Sequence, residues 1–437
     1  MEVSSSMNKF TMTIILIGIV AILFISACSF IASEPISILE VEINPLLATL
    51  EQNNDATIVA NGANDFAFRF CSILAESTRN ESFVVSPYSI WLTLAALINA
   101  TDDSNRETLI DTLGASGIEV DDINRAVSRM IFGLTDKRYD GKETPIKIAN
   151  AIFVSNELTV RRNFAQTFMD YYRGTLMNVD FSSPDATNAV NQWAYMHTDG
   201  LIRDLVNQFD PNTVAAIANS IHFIDKWDVE FDYNKTDLGT FHSTDGIQIA
   251  LFMRREGDGQ FYFEDDILQA TRIGFSTGGG MYILLPKSGD AVELLQNMTA
   301  EYFEYIHNNM RLETLRLLLP KFSINTRLSN LEEILIALGI PLFDSTIAPL
   351  NEGLIYEDVP LWLSDVMQKA LIEVTEQGVV AAAVTLSAMP ISGSLPLPPM
   401  PLEMICDRPF VFILYQYAND GVAQVIFTGV VNQVRND

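Results

Sequence analysis

The sequence predicts a mixed α+β fold in one large domain that follows about residue 60. Apolar runs rich in β-branched and aromatic residues, which are typical of strands, are interspersed with segments of helical periodicity. The two kinds of segment do not alternate strictly and no internal repeat is present, which disfavours a doubly wound sheet. With 437 residues, of which 48% are hydrophobic, the chain can build one large core or two ordinary ones.

Helices are predicted first at the start of this domain. The first is expected from Asn64-Asp65, which can cap the first turn, to about Thr78. The second is expected to begin in Ser86-Pro87, because the serine suits an N-cap and the proline suits the first turn. Further helices are predicted near Arg162 to Tyr172, Thr187 to His197, Ala291 to Asn308 and Asn330 to Leu338.

Strands are predicted between and after these helices, where short apolar runs lack helical spacing. The predicted strands are Ile148 to Val154, Ala216 to Phe223, Gln260 to Phe263, Met281 to Leu285, Leu315 to Leu319, Phe410 to Tyr415 and Val425 to Val431.

Composition and charge exclude several classes of function. With 55 acidic and 27 basic residues the formal net charge is −28, so a phosphate backbone would be repelled and no nucleic-acid partner is expected. Three cysteines cannot form a disulfide framework or a four-thiolate zinc site, and whether Cys71 and Cys406 pair stays open. The four histidines have no neighbours at metal-ligand spacing, and phosphate-loop and nucleophile-elbow patterns are absent. We therefore expect no metal, no cofactor and no enzymatic activity.

The first 27 residues are predicted to be an export signal. The segment from Phe10 to Ala27 carries no charge and follows Lys9. Small residues immediately before Cys28 resemble the lipobox of bacterial-type lipoprotein precursors, in which the cysteine is acylated. The alternatives are ordinary cleavage and an uncleaved helical anchor, because the apolar segment is just long enough to span a bilayer. With residues 28–60 as a tether, we expect the domain outside the cell, anchored to the membrane by the lipid or secreted.

A segment near the carboxyl end differs in composition from the rest. No charged residue occurs between Glu376 and Glu403, although 19% of the chain is charged. The segment is too close to the end of the chain to link two domains, because only core-like strands follow it. A buried helix over its alanines is the other simple interpretation, and periodicity alone leaves it open.

At these residues the sequence resembles the serpins. The small residues after Glu376-Gln377-Gly378 resemble the hinge of the family's reactive loop, and Asp407-Arg408-Pro409-Phe410 resembles the strand that closes the loop. Family patterns occur in family order over about residues 61 to 434. They include Ser86-Pro87-Tyr88-Ser89-Ile90, Asn150-Ala151-Ile152-Phe153, Asn219-Ser220-Ile221-His222-Phe223-Ile224-Asp225-Lys226-Trp227, Leu284-Leu285-Pro286, Leu319-Pro320-Lys321-Phe322, Leu338-Gly339-Ile340 and Phe427-Thr428-Gly429.

The resemblance implies the serpin fold over residues 61–437, with three β-sheets, eight to nine helices and an exposed reactive-centre loop at about 376–407. In this family a protease cleaves the loop as a substrate, and the freed segment enters the largest sheet as a new strand before the acyl bond hydrolyses. The hinge must then be small and uncharged, because a charge that faces the core would cost several kcal/mol. The implied hinge residues are Glu376, Gly378, Val379, Val380, Ala381, Ala382, Ala383 and Thr385.

Strand periodicity divides the hinge into two faces. Val379, Ala381, Ala383 and Thr385 are predicted to face the core after insertion, and Val380, Ala382 and Val384 to face the other side. Family members generally carry Thr or Ser at the position of Val379 and Glu at that of Val380. Both departures keep the strand insertable.

Further sites follow from the same resemblance. Ser86, Ser89 and Asn219 match the shutter, a polar cluster beneath the sheet, in which Gln368 stands where the family usually has histidine. Because glutamine does not titrate, the pH response of this cluster is expected to be weaker. Trp227 matches the tryptophan of the breach, where the loop first enters the sheet.

The scissile bond is predicted between Ser392 and Gly393, counted from Glu376, with Met389 and Leu395 as alternatives. A small residue before the bond suits elastase-like or subtilisin-like serine endopeptidases, and cysteine proteases are a second class of target. The predicted function is a monomeric, suicide-substrate protease inhibitor. The alternatives are a non-inhibitory serpin that acts as a binding or carrier module and a solute-binding lipoprotein with two α/β lobes.

Overall fold

The computed structural model describes residues 54–79, 81–135, 145–210, 213–328, 331–343, 346, 350–356, 359, 361–363, 366, 368–379, 400–418 and 422–434. Within these ranges it contains nine α-helices and eighteen strands, which confirms the α+β class. The helices are α1 (Asn54–Ser77), α2 (Pro87–Leu97), α3 (Asp103–Thr112), α4 (Val120–Thr135), α5 (Arg162–Tyr172), α6 (Pro184–His197), α7 (Ala291–Gln296), α8 (Ala300–Asn309) and α9 (Leu331–Ala337).

The strands lie before, between and after the helices. They are β1 (Phe83–Val85), β2 (Ile146–Val154), β3 (Thr159–Val160), β4 (Gly174–Asn178), β5 (Ala215–Phe223), β6 (Asp225–Lys226), β7 (Asp237–Ser243), β8 (Gly246–Glu264), β9 (Leu268–Gly274), β10 (Gly280–Pro286), β11 (Arg311–Pro320), β12 (Phe322–Leu328), β13 (Leu354–Ile355), β14 (Gln368–Val374), β15 (Gly378–Val379), β16 (Leu402–Ile405), β17 (Phe410–Tyr417) and β18 (Ala423–Val431).

Two ladders form what we call the main sheet. One has the order β12-β14-β15-β6 and the other the order β4-β2-β5. Strand β5 leads directly into β6 through Ile224, so the chain itself connects the two ladders. A nine-stranded sheet has the order β1-β18-β17-β10-β9-β8-β11-β16, with β7 on β8. The 19-residue strand β8 pairs with β7, β11 and β9 along its length, so it connects these strands within the nine-stranded sheet.

Apolar side chains fill both faces of the β2-β4-β5 part of the main sheet. The inner residues of β5, which include Ile217, Ile221 and Phe223, belong to the large core shared with α1, α2 and the nine-stranded sheet. The other face carries small side chains such as Ala216 and Ala218, which pack beneath α6. Burial on both faces explains why β5 forms a nearly continuous apolar run.

The first helix differs from the prediction at its start. Helix α1 begins at Asn54, so residues 54–60 of the predicted tether are helical, and the rest of the export signal and tether lies outside the described residues. Asn64 does not cap the helix. Its side-chain amide donates to the carbonyl of Ala423 at 2.9 Å and its oxygen accepts from the amide of Val425 at 3.0 Å, so it joins α1 to β18.

Another predicted helix is divided in two. The segment from Ala291 to Asn308 forms α7 and α8, because Thr299 caps the second helix by accepting from the amide of Tyr302. The pairing of Cys71 and Cys406 is also settled, since both are buried free thiols. None of the helices in the described ranges is both long and apolar enough to span a bilayer.

Candidate functional site

The beginning of the predicted hinge is part of the main sheet. Gly378 and Val379 form β15, which pairs antiparallel with β14 at Val374 and with β6 at Lys226 and Asp225. Strands β14 and β6 are therefore parallel to each other, with the hinge between them. Val379 is 2% exposed and belongs to the large core.

Gly378 is required by the close approach of two backbones. A Cβ atom at this position would lie 2.1 Å from the carbonyl oxygen of Asp225 and 2.7 Å from the Cα of Lys226. Real side chains do not tolerate such distances to backbone atoms, so only glycine lets the chain enter between β14 and β6.

The turn between β14 and β15 is held by hydrogen bonds on both sides. The amide of Thr375 donates to the carbonyl of Gly378 at 3.0 Å, which closes the turn. Glu376 is 5% exposed, and its carboxylate accepts from Lys321 Nζ at 2.9 Å and from Thr236 Oγ1 at 2.9 Å. Because its charge is both paired and hydrogen-bonded, this buried carboxylate is tolerated at the base of the hinge.

Trp227 contacts the same turn. Its indole Nε1 donates to the carbonyl of Thr375 at 2.9 Å, and its backbone amide donates to the carbonyl of Gln377 at 2.9 Å. The indole stacks on Phe275, with ring centroids 5.1 Å apart and an interplanar angle of 9°. The predicted breach tryptophan therefore connects the base of the hinge to the nine-stranded sheet.

Asp225 is a breach residue that the sequence did not single out. Its carboxylate is buried beside Val379 and accepts from Ser276 Oγ at 2.8 Å and from Thr277 Oγ1. Burial raises the pKa of the Asp225 carboxyl above its usual value, and the two hydroxyl donors offset part of that effect. This aspartate joins β6 to the turn between β9 and β10.

The predicted shutter residues meet at the amino end of α2. The amide of Ser86 donates to Gln368 Oε1 at 3.1 Å, and Gln368 Nε2 donates to the carbonyl of Ser86 at 2.8 Å. Ser89 Oγ donates to Asn219 Oδ1, and Asn219 Nδ2 donates to Asn150 Oδ1 at 2.5 Å. One helix terminus therefore binds both β14, through Gln368, and β5, through Asn219.

These two bound strands lie side by side, but they share no ladder in the part of the chain that the structure describes. In the described chain β5 pairs with β2 only, and β14 pairs with β12 and β15. The arrangement leaves the edge of β5 that faces β14 as the place where a further strand would fit.

The structure leaves part of the predicted site untested. Val380, Ala381, Ala382, Ala383, Thr385, the predicted bond between Ser392 and Gly393, its alternatives Met389 and Leu395, and Cys28 lie outside the described residues.

The sequence did not identify several residues that complete the site. Asn150 extends the shutter by donating to the carbonyl of Tyr172 at 2.7 Å, and Lys321 pairs with Glu376. Both residues belong to sequence motifs that resemble the serpins, and this resemblance was the only sign in the sequence that they could be part of the site. Their contacts join positions far apart in sequence, so local periodicity carried no information about them.

The described residues combine a mixed α+β fold with a short strand, β15, held between the parallel strands β14 and β6. The family model described as Serpin (serine protease inhibitor) matches residues 61–434. The chain therefore belongs to the serpin family. Serpins are generally protease inhibitors rather than catalysts, which agrees with the expectation that this chain is not an enzyme.

Serpins of other organisms share about 30% of their residues with this chain. The chain is 30% identical over 361 residues to an uncharacterized serpin-like protein of Thermococcus kodakarensis, with 82% of each chain covered. It is 28% identical to Serpin-ZX of Hordeum vulgare, covering 84% of this chain and 94% of the relative.

Solved structures show the same fold. The native state of the thermophilic serpin Tengpin matches with a TM-score of 0.80 at 23% identity, covering 92% of this chain and 100% of Tengpin. Human thyroxine-binding globulin matches with a TM-score of 0.75 at 21% identity, covering 87% and 100%. The chain has a serpin fold and not the two α/β lobes of a solute-binding lipoprotein, so that hypothesis is wrong.

Proposed function

We propose that this serpin inhibits serine proteases as a suicide substrate, by inserting its cleaved loop into the main sheet between β14 and β5. The observation that carries the proposal is the position of Gly378 and Val379, which already form the first rungs of such a strand between β14 and β6. The residues after Val379 can enter the sheet by extending the two ladders that β15 forms with β14 and β6.

The two registers specify where each inserted residue would lie. Continued residue by residue, they place Ala381 between Phe223 and Ile372, and Thr385 between Asn219 and Gln368. The polar hydroxyl of the hinge would thus come between the two polar residues of the shutter.

The same registers specify the two faces of the inserted strand. On β14 the residues Gln368, Ala370, Ile372 and Val374 are buried, and they are the partners of the positions predicted to face the core. Alanine and threonine side chains are small enough to enter this packed face, and they carry no charge that would have to be desolvated. The opposite positions, including Val380 and Ala382, would lie on the side covered by α6.

Strand length supports a scissile bond beyond Met389. Continued to the start of β5, the register pairs Met389 with Ala215. A cut between Ser392 and Gly393 would then leave residues 390–392 to reach the protease. In this step the peptide bond breaks, an ester forms between the Ser392 carbonyl and the protease serine, and Gly393 leaves with the new amino terminus.

Insertion can supply enough free energy to distort a protease. A strand from Val379 to Met389 would gain ladder bonds on both sides, each with a net value of about 0.5 to 1.5 kcal/mol. The sum is on the order of 10 kcal/mol before packing and ordering are counted, which is comparable to the stability of a whole domain. The hydrogen bonds of Ser86 and Ser89 to the flanking strands oppose this step until the strands separate.

The test is a covalent complex. We would incubate the protein with a panel of elastase-like, subtilisin-like and trypsin-like enzymes, separate the products on a denaturing gel, and sequence the released fragment. We expect a detergent-stable complex with an enzyme that accepts a small residue, and a fragment that begins at Gly393. Cleavage without any complex across the panel would contradict inhibition.

Substitution of Val379 sharpens this test. Val379→Arg places a charge at a buried position, so insertion should stall and the protein should become a substrate, with complex formation reduced at least about tenfold. Val379→Thr is the matched control and should form the complex normally. Equal complex formation by the arginine variant would exclude insertion along this register.

A second candidate function is a non-inhibitory carrier. It is favoured by the structural match to thyroxine-binding globulin, which has been solved in complex with thyroxine. A carrier would be cleaved in the loop as a simple substrate and would form no covalent complex, so the same gel separates the two functions.

We further propose that the domain acts outside the cell and is anchored through a lipid on Cys28. The support is the uncharged segment from Phe10 to Ala27 and the small residues that precede the cysteine. Metabolic labelling with palmitate should mark the wild-type protein and leave Cys28→Ser unlabelled. Release of the unlabelled protein into the medium would instead indicate ordinary cleavage.

A further inference from the structure

A pocket of about 280 Å³ lies beside the breach, between β8, β9 and the end of β17. Its lining includes two arginines, Arg255 and Arg272, and the aromatic residues Phe261, Phe275 and Tyr417. None of these residues belongs to the hinge or the shutter. The pocket therefore needs its own explanation.

The guanidinium of Arg272 lies in this pocket, where it contacts the ring of Phe261 and the hydroxyl of Tyr282. The guanidinium carbon lies 3.8 Å from the ring centroid of Phe261, an arrangement that fixes the planar group over the aromatic face. Among the described residues, no carboxylate forms an ion pair with Arg272. In a chain with 55 acidic and 27 basic residues, carboxylates are abundant as partners, so an ordered arginine without one is unexpected.

Arg255 is only loosely bound. Its side chain is 20% exposed, its Nη1 lies 3.7 Å from Asp228 Oδ1, and it donates to the carbonyl of Val229 at 3.5 Å. Charge-assisted hydrogen bonds normally span about 2.7 to 2.9 Å, so both contacts are long. Donor capacity remains for a ligand, and two arginines against Asp228 leave the pocket locally positive.

The walls add apolar surface and hydroxyl donors. Phe275 contributes one aromatic wall, and Tyr415 and Tyr417 contribute another. Burial raises the pKa of the Tyr415 hydroxyl, so it stays protonated and able to donate at neutral pH. A small cavity that combines aromatic walls with a few fixed polar groups is the usual form of a ligand site.

We propose that this pocket binds a small organic carboxylate, held by Arg272 and Arg255 and packed against the aromatic walls. The planar fork of each guanidinium matches a carboxylate group, and the low local dielectric strengthens the pairing. The cavity volume limits the ligand to a small molecule. The pocket residues are distinct from the hinge and shutter residues, and binding can be measured on the intact protein without any protease.

Calorimetric titration of the full domain tests the proposal with three ring compounds of similar size. Benzoate carries the carboxylate, benzyl alcohol is neutral, and benzylamine is cationic. We expect benzoate to bind with millimolar or better affinity and the other two to bind at least tenfold more weakly. Equal binding of benzyl alcohol, or no heat with benzoate at about 10 mM, would overturn the proposal.

Variants locate the binding. Arg272→Gln should weaken benzoate binding on the order of tenfold, because one charge-assisted pair is lost. Arg255→Gln should also weaken benzoate binding. If Arg272→Gln does not fold, the affinity of Arg255→Gln for benzoate tests the assignment instead. The matched control is Arg203→Gln. Arg203 also lies over an aromatic ring, that of Tyr195, but it does not line the pocket. Unchanged affinity in both pocket variants would refute the assignment.

Discussion

Single residues of the hinge are constrained by backbone geometry and buried charge. Gly378 must lack a side chain because the backbone of β6 is too close, and Glu376 keeps its buried charge only through Lys321 and Thr236. The resemblance identified Gly378 and Glu376 from the sequence. It included Asp225 but gave that residue no role, because a carboxylate in a strand gives no sign of the Ser276 and Thr277 hydroxyls that hold it.

Replacement of Gly378 tests the close approach. Gly378→Ala should destabilise the native protein by about 1 to 3 kcal/mol, because the new Cβ forces β15 away from β6. Urea unfolding measures the loss. The control is Glu373→Ala, at an exposed position of the neighbouring strand β14, which should change stability by less than about 0.5 kcal/mol. Equal stability of the glycine variant and the wild type would contradict the described pairing.

His222 gives the fold a dependence on pH. The ring is 6% exposed, neither ring nitrogen has a hydrogen-bond partner among the described residues, and Nδ1 lies 3.6 Å from Asp199 Oδ2. Burial lowers the pKa of His222, the Asp199 charge offsets part of this effect, and Lys147 adds to it. Because the unfolded chain binds the proton more readily, stability should fall as the pH drops below about 6.5.

The substitution His222→Phe should remove this dependence. We expect the variant to gain stability relative to wild type at pH 5 and to gain less at pH 8, measured by urea unfolding at both values. His242→Phe, at an exposed position of β7, is the control. A parallel pH profile for wild type and His222→Phe would show that this ring does not titrate on unfolding.

At the scale of elements, α2 binds the two strands that flank the proposed insertion site. Its amino end binds β14 through Gln368 and β5 through Asn219, so separating these neighbouring strands breaks their bonds to the helix as well as the packing between them. Gln368 has no titratable proton, so the link to β14 should not respond to pH.

Removal of Asn219 tests the binding of β5. Asn219→Ala leaves Ser89 and Asn150 without their buried partner, which should cost about 1 to 3 kcal/mol of stability and free β5. We expect loop insertion without cleavage to become faster on mild heating, detected as a population that resists further unfolding and no longer binds protease. Asn234→Ala, at an exposed site, should match wild type. Loss of stability without faster insertion would limit the cluster to a structural role.

Element boundaries followed from the sequence where local signals were complete. Helix α5 has the predicted bounds, and α2 begins after the predicted serine cap with proline in its first turn. Helix α1 starts ten residues before the predicted Asn64, because its first turns are stabilised by burial of Val59 and Ala60 rather than by a strong cap. The long strand β8 was seen only in part, since the charged and glycine residues of its middle, from Arg254 to Gly259, interrupt the apolar pattern.

At the scale of the whole molecule, the main sheet combines a filled core with two neighbouring strands, β5 and β14, that share no ladder among the described residues. Its inner face packs on the large core, the outer face of β5 packs beneath α6, and the hinge has begun a strand between β14 and β6. The native protein is therefore expected to be less stable than the form in which the loop completes this strand. The sequence could indicate this only through the family resemblance, because an energy difference between two states leaves no periodic pattern.

Thermal unfolding of intact and loop-cleaved protein tests this claim most directly. The loop would be cut with a non-target protease, and a denaturing gel would verify a single cut between Val380 and Pro401. Because each kcal/mol shifts the Tm of a large domain by about 2 °C, insertion worth on the order of 10 kcal/mol should raise the Tm by at least about 10 °C. Equal Tm values for the intact and cleaved samples would contradict the account.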